Sequence, residues 1–405
     1  MARILAFSYA FPPMQVQMGP VVAKAMAGLT EAGVAVDVLC AGSFSPFLGE
    51  DASLLPYVEQ HFNQVVRLSP DQSLIRSRWA RDARFAAMPD LMGVLGRRAY
   101  RYLLGVDLSK YDAVITWSPF HSINPVMAAV KKQRPRVKWV AQFSDPWARN
   151  PLEQSRLRRW WNHVYEGSCV KSADFVVHSS EYSRAQMFSG SRRMYNERSI
   201  VIPHPFAAGL YPLGRPARTE RMVLRYVGVL FGRRSPEPLF QALLLLFARN
   251  PSWRDRLALE IVGATPAEML TTPAAMALKP DVLIHRPGVG YVESLAEMRS
   301  ADILVLIEAD TRRNLFVPSK LSDYIGAGRP ILGLAPPGGS ADLLRLIGAP
   351  IAPPGAPLEI AAALERLLNA PREEWPQEWG DPAVREGLST QAIGRRFCAV
   401  LERVV

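Results

Sequence analysis

A chain of 405 residues with 49% hydrophobic content can build more than one core, which implies two or three domains. Its 48 Lys plus Arg against 37 Asp plus Glu leave a net charge of +11, a balance that suits phosphorylated metabolites, an acidic membrane face or nucleic acid. No zinc-finger spacing or RNA-recognition signature is present, which sets nucleic acid aside as a partner. Cys40, Cys169 and Cys398 are odd in number and far apart, so they argue against a disulfide framework or a metal knuckle and for a reducing cytoplasm.

The opening MARILAFSYAFPP carries one Arg and a short apolar run cut by two prolines, so it reads as a first strand rather than a signal peptide. Strand Arg3–Ser8, loop Tyr9–Gly19, helix Pro20–Ala32 and strand Val34–Leu39 then form a parallel βαβ unit. Pro20 near the helix start and Gly33 just past its end stand where helix physics prefers them. Further strands are expected at Ala113–Thr116, Val137–Phe143, Phe175–His178 and Ile200–Ile202, an alternation that implies a doubly wound parallel sheet. After the turn-rich segment Pro203–Arg218 the alternation restarts with strands Val223–Val227, Leu257–Val262, Val282–His285, Ile303–Ile307 and Pro330–Leu334. A leucine-rich helix covers Pro238–Arg249, Pro/Gly loops fall at Pro336–Ser340 and Ala349–Pro357, and helices close the chain at Ala356–Asn369 and Gln391–Val404.

The division expected is an N-terminal α/β domain over 1–205 and a C-terminal one over 206–390. Two such domains imply a cleft between them, with ligands beyond the carboxyl ends of the strands. No apolar run reaches bilayer-spanning length, so the reading is a soluble or at most peripheral protein. Two stretches mix arginines with aromatic rings. Ile75–Leu104 holds Arg76, Arg78, Trp79, Arg81, Arg84, Phe85, Arg97, Arg98, Tyr100, Arg101 and Tyr102, and Arg156–Tyr165 holds Arg158, Arg159, Trp160 and Trp161. Such stretches suit an acidic membrane surface, the alternative being solvated helix faces with their rings turned inward.

Ala301–Leu332, ADILVLIEADTRRNLFVPSKLSDYIGAGRPIL, reads as strand, loop, short helix, glycine stop and strand. Ser319 stands where an N-cap belongs, so the helix would aim free N–H groups and its positive dipole end at a phosphate. Lys320 and Asp323 share a face three residues apart, offering a cation for a diphosphate beside a carboxylate for a pair of sugar hydroxyls. The alternative is an exposed ion pair.

This segment resembles the donor site of group 1, family 4-like retaining glycosyltransferases of the GT-B fold, which use nucleotide-diphosphate sugars. Gly328, Arg329 and Pro330 match the family's Gly-x-Pro tail, and Asp323 stands at its second Glu, while its first Glu aligns with Leu315. Pro318–Tyr324 also fits Pro-Ser-Lys-Leu variants of the motif. Tyr226–Ala242 is similar to the family's strand, glycine loop and cation pair, with Val229 at the arginine and Arg234 at the lysine.

The resemblance implies two Rossmann-like domains facing a central cleft, with the last helix, 391–405, packed back on the first. It implies Asp323 on the ribose, and Lys320, Arg234, Ser319 and, from the Phe11–Gly19 loop, Gly19 around the diphosphate. Asp145 of QFSDPW would be the acceptor-side base, or a positioner if the departing phosphate takes the proton, and His121 of TWSPFHSIN would contact the donor sugar. Gly263, Val289 and Tyr291 are the candidates for nucleobase contact, whereas His178 and Glu181 are given no role. No cofactor or metal is expected beyond the nucleotide-sugar co-substrate. The acceptor is expected to be a saccharide or a lipid-linked saccharide, at the cytoplasmic face of an acidic membrane, in surface polysaccharide or glycan assembly. The alternatives are an epimerase or phosphorylase of the same fold, or a GT-B protein that binds a nucleotide sugar or a partner without transfer, which Leu315 would favour.

Overall fold

The computed structural model of the chain describes residues 2–42, 49–69, 90–150, 155–214, 220–371 and 375–405. Of the first basic stretch, Arg76, Arg78, Trp79, Arg81, Arg84 and Phe85 lie outside the described residues. The chain divides into two compact units, Met1–Pro205 with Thr390–Val405, and Phe206–Ser389.

The first unit is a seven-stranded parallel sheet, β1 (Arg3–Phe7), β2 (Ala35–Ala41), β3 (Gln64–Leu68), β4 (Ala113–Trp117), β5 (Trp139–Phe143), β6 (Phe175–His178) and β7 (Ser199–Val201), in the order β3-β2-β1-β4-β5-β6-β7. Strands such as AVITW and WVAQF are buried on both faces because crossover helices cover the sheet on each side. Trp117 and Trp139 are among the largest fully enclosed side chains. β3, absent from the sequence reading, is an edge strand whose QVVRL pattern is half exposed, so no continuous apolar run marks it.

The second unit repeats the plan with six parallel strands, β8 (Met222–Val227), β9 (Leu257–Val262), β10 (Leu283–Arg286), β11 (Ile303–Ile307), β12 (Ile331–Leu334) and β13 (Ile351–Ala352). Their order, β10-β9-β8-β11-β12-β13, reverses direction between β8 and β11, as the first sheet does between β1 and β4. These are the topological switch points where open α/β sheets leave a crevice beyond the strand ends. β13 lies within the expected loop Ala349–Pro357, being too short for pattern reading to find. Among the described residues no helix is long and apolar enough to cross a membrane.

The closing helix Thr390–Val404 packs against helix Met18–Glu31 in the first unit. Two glycines let the backbones meet: a Cβ on Gly394 would sit 1.9 Å from the Gly28 carbonyl oxygen, and one on Gly28 would sit 2.2 Å from that of Thr390. Ile393, Phe397, Val400 and Leu401 then reach the core beside Val22, Met26 and Leu29. We expect Gly394→Ala to lower stability by about 1–3 kcal/mol through overpacking. Gly105→Ala, at a helix end where an added Cβ would meet nothing within 4 Å, should leave stability nearly unchanged. Urea unfolding followed by tryptophan fluorescence checks this, and equal midpoints for the two variants would contradict it.

Candidate functional site

In the second unit the polar side chains gather at the carboxyl ends of β8 and β11, on either side of the switch point. Glu308 directly follows β11 and is 2% exposed. Its carboxylate accepts hydrogen bonds from Asn314 Nδ2 at 2.9 Å and Ser340 Oγ at 3.5 Å, and Arg234 lies 3.6 Å away. Burial pushes this carboxyl up, against the pull of the Arg234 and Lys320 cations.

Lys320 reaches the same place from helix Ser319–Gly326. Its Nζ donates to the Tyr226 hydroxyl at 2.7 Å and lies 4.3 Å from the centre of that ring. Burial lowers its pKa from the ordinary 10.5 to about 7, aided by the Arg234 cation and opposed by Glu308. Arg234 itself lies over the Phe231 ring at 5.2 Å. Arg234 and Lys320 therefore converge on one carboxylate.

The floor of this site is backbone. Gly228 has φ 135°, and a Cβ there would stand 2.7 Å from Lys320 Nζ. Gly263 has φ 137°, and a Cβ on it would fall 1.9 Å from the Gly228 carbonyl oxygen. Both positions exclude any side chain, on conformation and on space. Gly263 thus supports the Gly228 turn, and its own carbonyl oxygen is 3.0 Å from His285 Nε2.

Ser319 does not cap its helix. Pro318 holds the cap position in extended conformation, without a side-chain bond, and Ser319 is the first helical residue. The Leu321 N–H closes the first turn on the Pro318 carbonyl at 3.0 Å, which leaves the Ser319 and Lys320 amides at the mouth without an intrahelical acceptor. Leu315, at the position of the family's first acid, is partly buried and carries no charge; the acid at this end of β11 is Glu308, seven residues earlier.

Asp323 does not pair with Lys320. It is 4% exposed, and its carboxylate accepts the Tyr291 hydroxyl at 3.0 and 3.1 Å, while its carbonyl accepts the Tyr211 hydroxyl at 2.8 Å. Tyr291 is the first residue of helix Tyr291–Ser300. That helix is pinned by Glu297, which pairs with Arg286 at 2.7 Å and Arg225 at 3.0 Å. Val289, just before it, packs against the core.

In the first unit the polar groups again follow the strand ends. His121 comes after β4, next to Phe120 with φ 71°, and stacks on Trp147 at 4.9 Å and 8°. Burial lowers its pKa from 6.5 to about 3, so the ring is neutral at pH 7. Asp145 follows the neighbouring β5, and burial alone raises it from 3.8 to about 6. Its loop is fixed by Ser144, whose Oγ donates to the Ser118 carbonyl at 2.6 Å, and by Glu166, which accepts the Ala148 N–H at 2.8 Å. Asp90 fixes the His121 loop by accepting the Ser122 N–H at 2.8 Å and its hydroxyl at 2.6 Å.

Several buried polar atoms here lack hydrogen-bond partners among the described residues: the Tyr9 hydroxyl, His121 Nδ1, Trp147 Nε1 and both ring nitrogens of His178. They follow or end β1, β4, β5 and β6; Phe143 stacks on His121, Trp147 and His178, and Tyr9 meets Phe7 edge to face. Unsatisfied buried polar groups are rare, and their gathering at one sheet end marks a place suited to a polar ligand. Gly19 sits in the first turn of helix Met18–Glu31, with its N–H given to the Val16 carbonyl at 2.8 Å, so this amide is committed within the chain.

Residues 18–205 match the model of the Glycosyl transferase 4-like domain. No curated protein matches the chain in sequence. Among solved structures, Anabaena Alr3699/HepE in complex with UDP and glucose is 14% identical and aligns over 100% of both chains with a TM-score of 0.69. An α,α-trehalose-phosphate synthase (UDP-forming) from Burkholderia xenovorans, in complex with glucose-6-phosphate, is 12% identical over 99% of this chain and 100% of its own, with a TM-score of 0.64. The lipopolysaccharide outer core galactosyltransferase WaaB, in apo form, is 13% identical over 100% of both chains, with a TM-score of 0.62. The N-terminal unit is a glycosyl transferase 4-like domain, and the two parallel-sheet units have the fold of GT-B glycosyltransferases. The matched domain and the fold together support a family 4-like glycosyltransferase.

The buried Lys320 has a consequence for stability. Its folded pKa, about 7, lies below its unfolded value, so between these two values the unfolded chain binds the extra proton and stability rises with pH. We expect the unfolding free energy of the wild type, measured relative to Lys320→Met, to rise from pH 7 to pH 9 by at most about 1.4 kcal/mol per unit. A difference that stays flat with pH would show that Lys320 is not buried as described.

Proposed function

We propose that the chain is a retaining, metal-independent hexosyltransferase that moves a sugar from a nucleotide diphosphate to a hydroxyl acceptor. The observation that carries this reading is the convergence of Arg234 and Lys320 on Glu308, with Lys320 in the first turn of helix Ser319–Gly326, at the switch point of the second sheet. As the bond from the anomeric carbon to the β-phosphate oxygen breaks, negative charge grows on that oxygen. Fixed cations and N–H donors stabilise it more than they stabilise the intact donor.

Lys320 is poised for this role because its ammonium is costly in the unliganded site and favourable beside a diphosphate. The glycine floor at Gly228 and Gly263 admits the phosphates to the backbone, and we assign Gly263, Val289 and Tyr291 to the nucleobase. Asp323 reaches the ribose only if the nucleotide displaces or shares the Tyr291 hydroxyl. In the first unit the unsatisfied polar atoms around His121 and His178 suit the hydroxyls of a saccharide. Asp145, ionised above about pH 6, receives the acceptor proton as the oxocarbenium-like centre is attacked from the face the diphosphate leaves. The acceptor we assign is a lipid-linked saccharide in surface polysaccharide or glycan assembly, at the cytoplasmic face of the membrane.

A second reading, nucleotide-sugar binding without transfer, draws on Leu315. A thermal-shift screen with UDP, GDP, dTDP and ADP should raise the unfolding temperature with at least one of them, since a ligand that binds only the native state stabilises it. Arg234→Ala and Lys320→Ala should each weaken that ligand at least about tenfold, the loss of roughly one charge-assisted hydrogen bond. No shift with any nucleotide would reject the donor site, whereas a shift without transfer by the wild type across donors and acceptors would favour the binding protein.

For the chemical step, kcat/KM of the wild type should climb with pH through about 6, and Asp145→Asn should lower kcat about a hundredfold or more and remove that limb. Full turnover by Asp145→Asn would dismiss it as the base. Conversion of the sugar nucleotide without acceptor would indicate an epimerase instead.

A further inference from the structure

Helix Arg156–Ser172 in the first unit turns the wrong residues outward for a helix that only covers a sheet. Its buried side is Asn162, Glu166, Cys169 and Val170. The opposite side carries Leu157, Trp160, Trp161 and Val164, at i, i+3, i+4 and i+7, a continuous apolar stripe. Leu157 is 57% exposed, Trp160 57% and Val164 46%. The rings adjoin one another along it: Trp160 meets Trp161 at 4.7 Å, and Trp161 stacks on Tyr165 at 5.9 Å.

Charge flanks the stripe in one sign only. Arg156 and Arg159 are exposed beside it, and the helix's one acid, Glu166, is buried and paired with Arg192. Further along, Tyr165 and Ser168 form one wall of a groove of about 750 Å³ shared with helix Ile123–Gln133. Two exposed lysines, Lys132 and Lys171, stand on it, in ion pairs with no carboxylate among the described residues. Its other cations are committed, Lys131 to Asp174 and Arg198 to the Ala173 and Val170 carbonyls. This groove lies toward the amino ends of β5, β6 and β7, away from Asp145 and His121, so it belongs to no part of the site above.

We propose that the outward face of helix Arg156–Ser172, with Lys132 and Lys171, seats the N-terminal unit on an acidic lipid bilayer. Leu157, Trp160, Trp161 and Val164 would enter the interface between headgroups and acyl chains, the depth that indole rings prefer, and the arginines and the two lysines would meet lipid phosphates. Two copies meeting through this same face fit poorly, because they would set arginines against arginines and the described helix offers no exposed acid to relieve them. The inference deepens the membrane placement in the proposed function by naming the surface that makes the contact, and vesicle binding tests it apart from nucleotide binding and transfer.

The test is flotation of the full chain with phosphatidylcholine vesicles, with and without phosphatidylglycerol. We expect flotation with the acidic vesicles alone, weakening as salt rises. Leu157→Ser with Trp160→Ser should lower the bound fraction at least about tenfold, and Lys132→Glu with Lys171→Glu by a similar factor. Both variants should keep the wild-type unfolding temperature and its nucleotide-dependent shift, since the changed residues are exposed and lie outside the donor site. Three results would each overturn the proposal: no flotation at low salt, equal flotation of the variants, or self-association of the wild type in light scattering that these substitutions abolish.

Discussion

A buried carboxylate held between two basic side chains, Arg234 and Lys320, organises the carboxyl ends of β8 and β11. Glu308 alone, at the tip of an apolar strand, would favour its neutral form, and Lys320 alone, enclosed beside Tyr226, would favour losing its proton. Glu308 is held ionised by both basic groups, whereas Arg234, itself a cation, adds to the pressure on Lys320 to lose its proton. Glu308 pairs with Arg234 and favours the charged form of Lys320 without fully restoring it, and Asn314 and Ser340 hold Glu308. A second anion placed beside Lys320 would make its ammonium favourable.

The surrounding fold exists to put these groups within reach. Parallel strands point all their carboxyl ends one way, and the reversal of strand order between β8 and β11 opens the crevice that Arg234, Glu308 and Lys320 line. Backbone must approach closely there, which explains why glycine stands at 228 and 263, where any Cβ would strike Lys320 or the facing carbonyl. The first unit applies the same topology to a different surface, with aromatic rings in place of cations and polar edges left unsatisfied around His121, Trp147 and His178.

Much of this is legible in the sequence, for reasons that differ from place to place. Apolar runs such as ILVLI, and LALEIV with its single charged residue Glu260, announce buried parallel strands, because their strand-like length and bounding loops favour a strand over a buried helix. β3 and β13 escape pattern reading because one is half exposed and the other only two residues long. The cation pair emerges through motif resemblance, whereas Glu308 does not; its signal is a lone acid ending an apolar strand, a position where burial makes charge expensive. The tie between Asp323 and Tyr291 cannot be read from the sequence, since it joins residues 32 positions apart through the packing of two helices. Ser319 looks like a cap but is not one, because the preceding proline already fixes the extended entry that a capping serine would otherwise provide. In helix Arg156–Ser172 the sequence shows arginines and tryptophans together, but only the structure shows that the apolar stripe faces outward.

Calorimetric titration of a bound nucleoside diphosphate at pH 8, repeated in buffers of different ionisation heat, addresses the electrostatic account most directly. If Lys320 is largely neutral in the free protein and charged in the complex, binding must take up close to one proton, and Lys320→Met must abolish the uptake. Binding of undiminished affinity with no proton uptake by the wild type would contradict it.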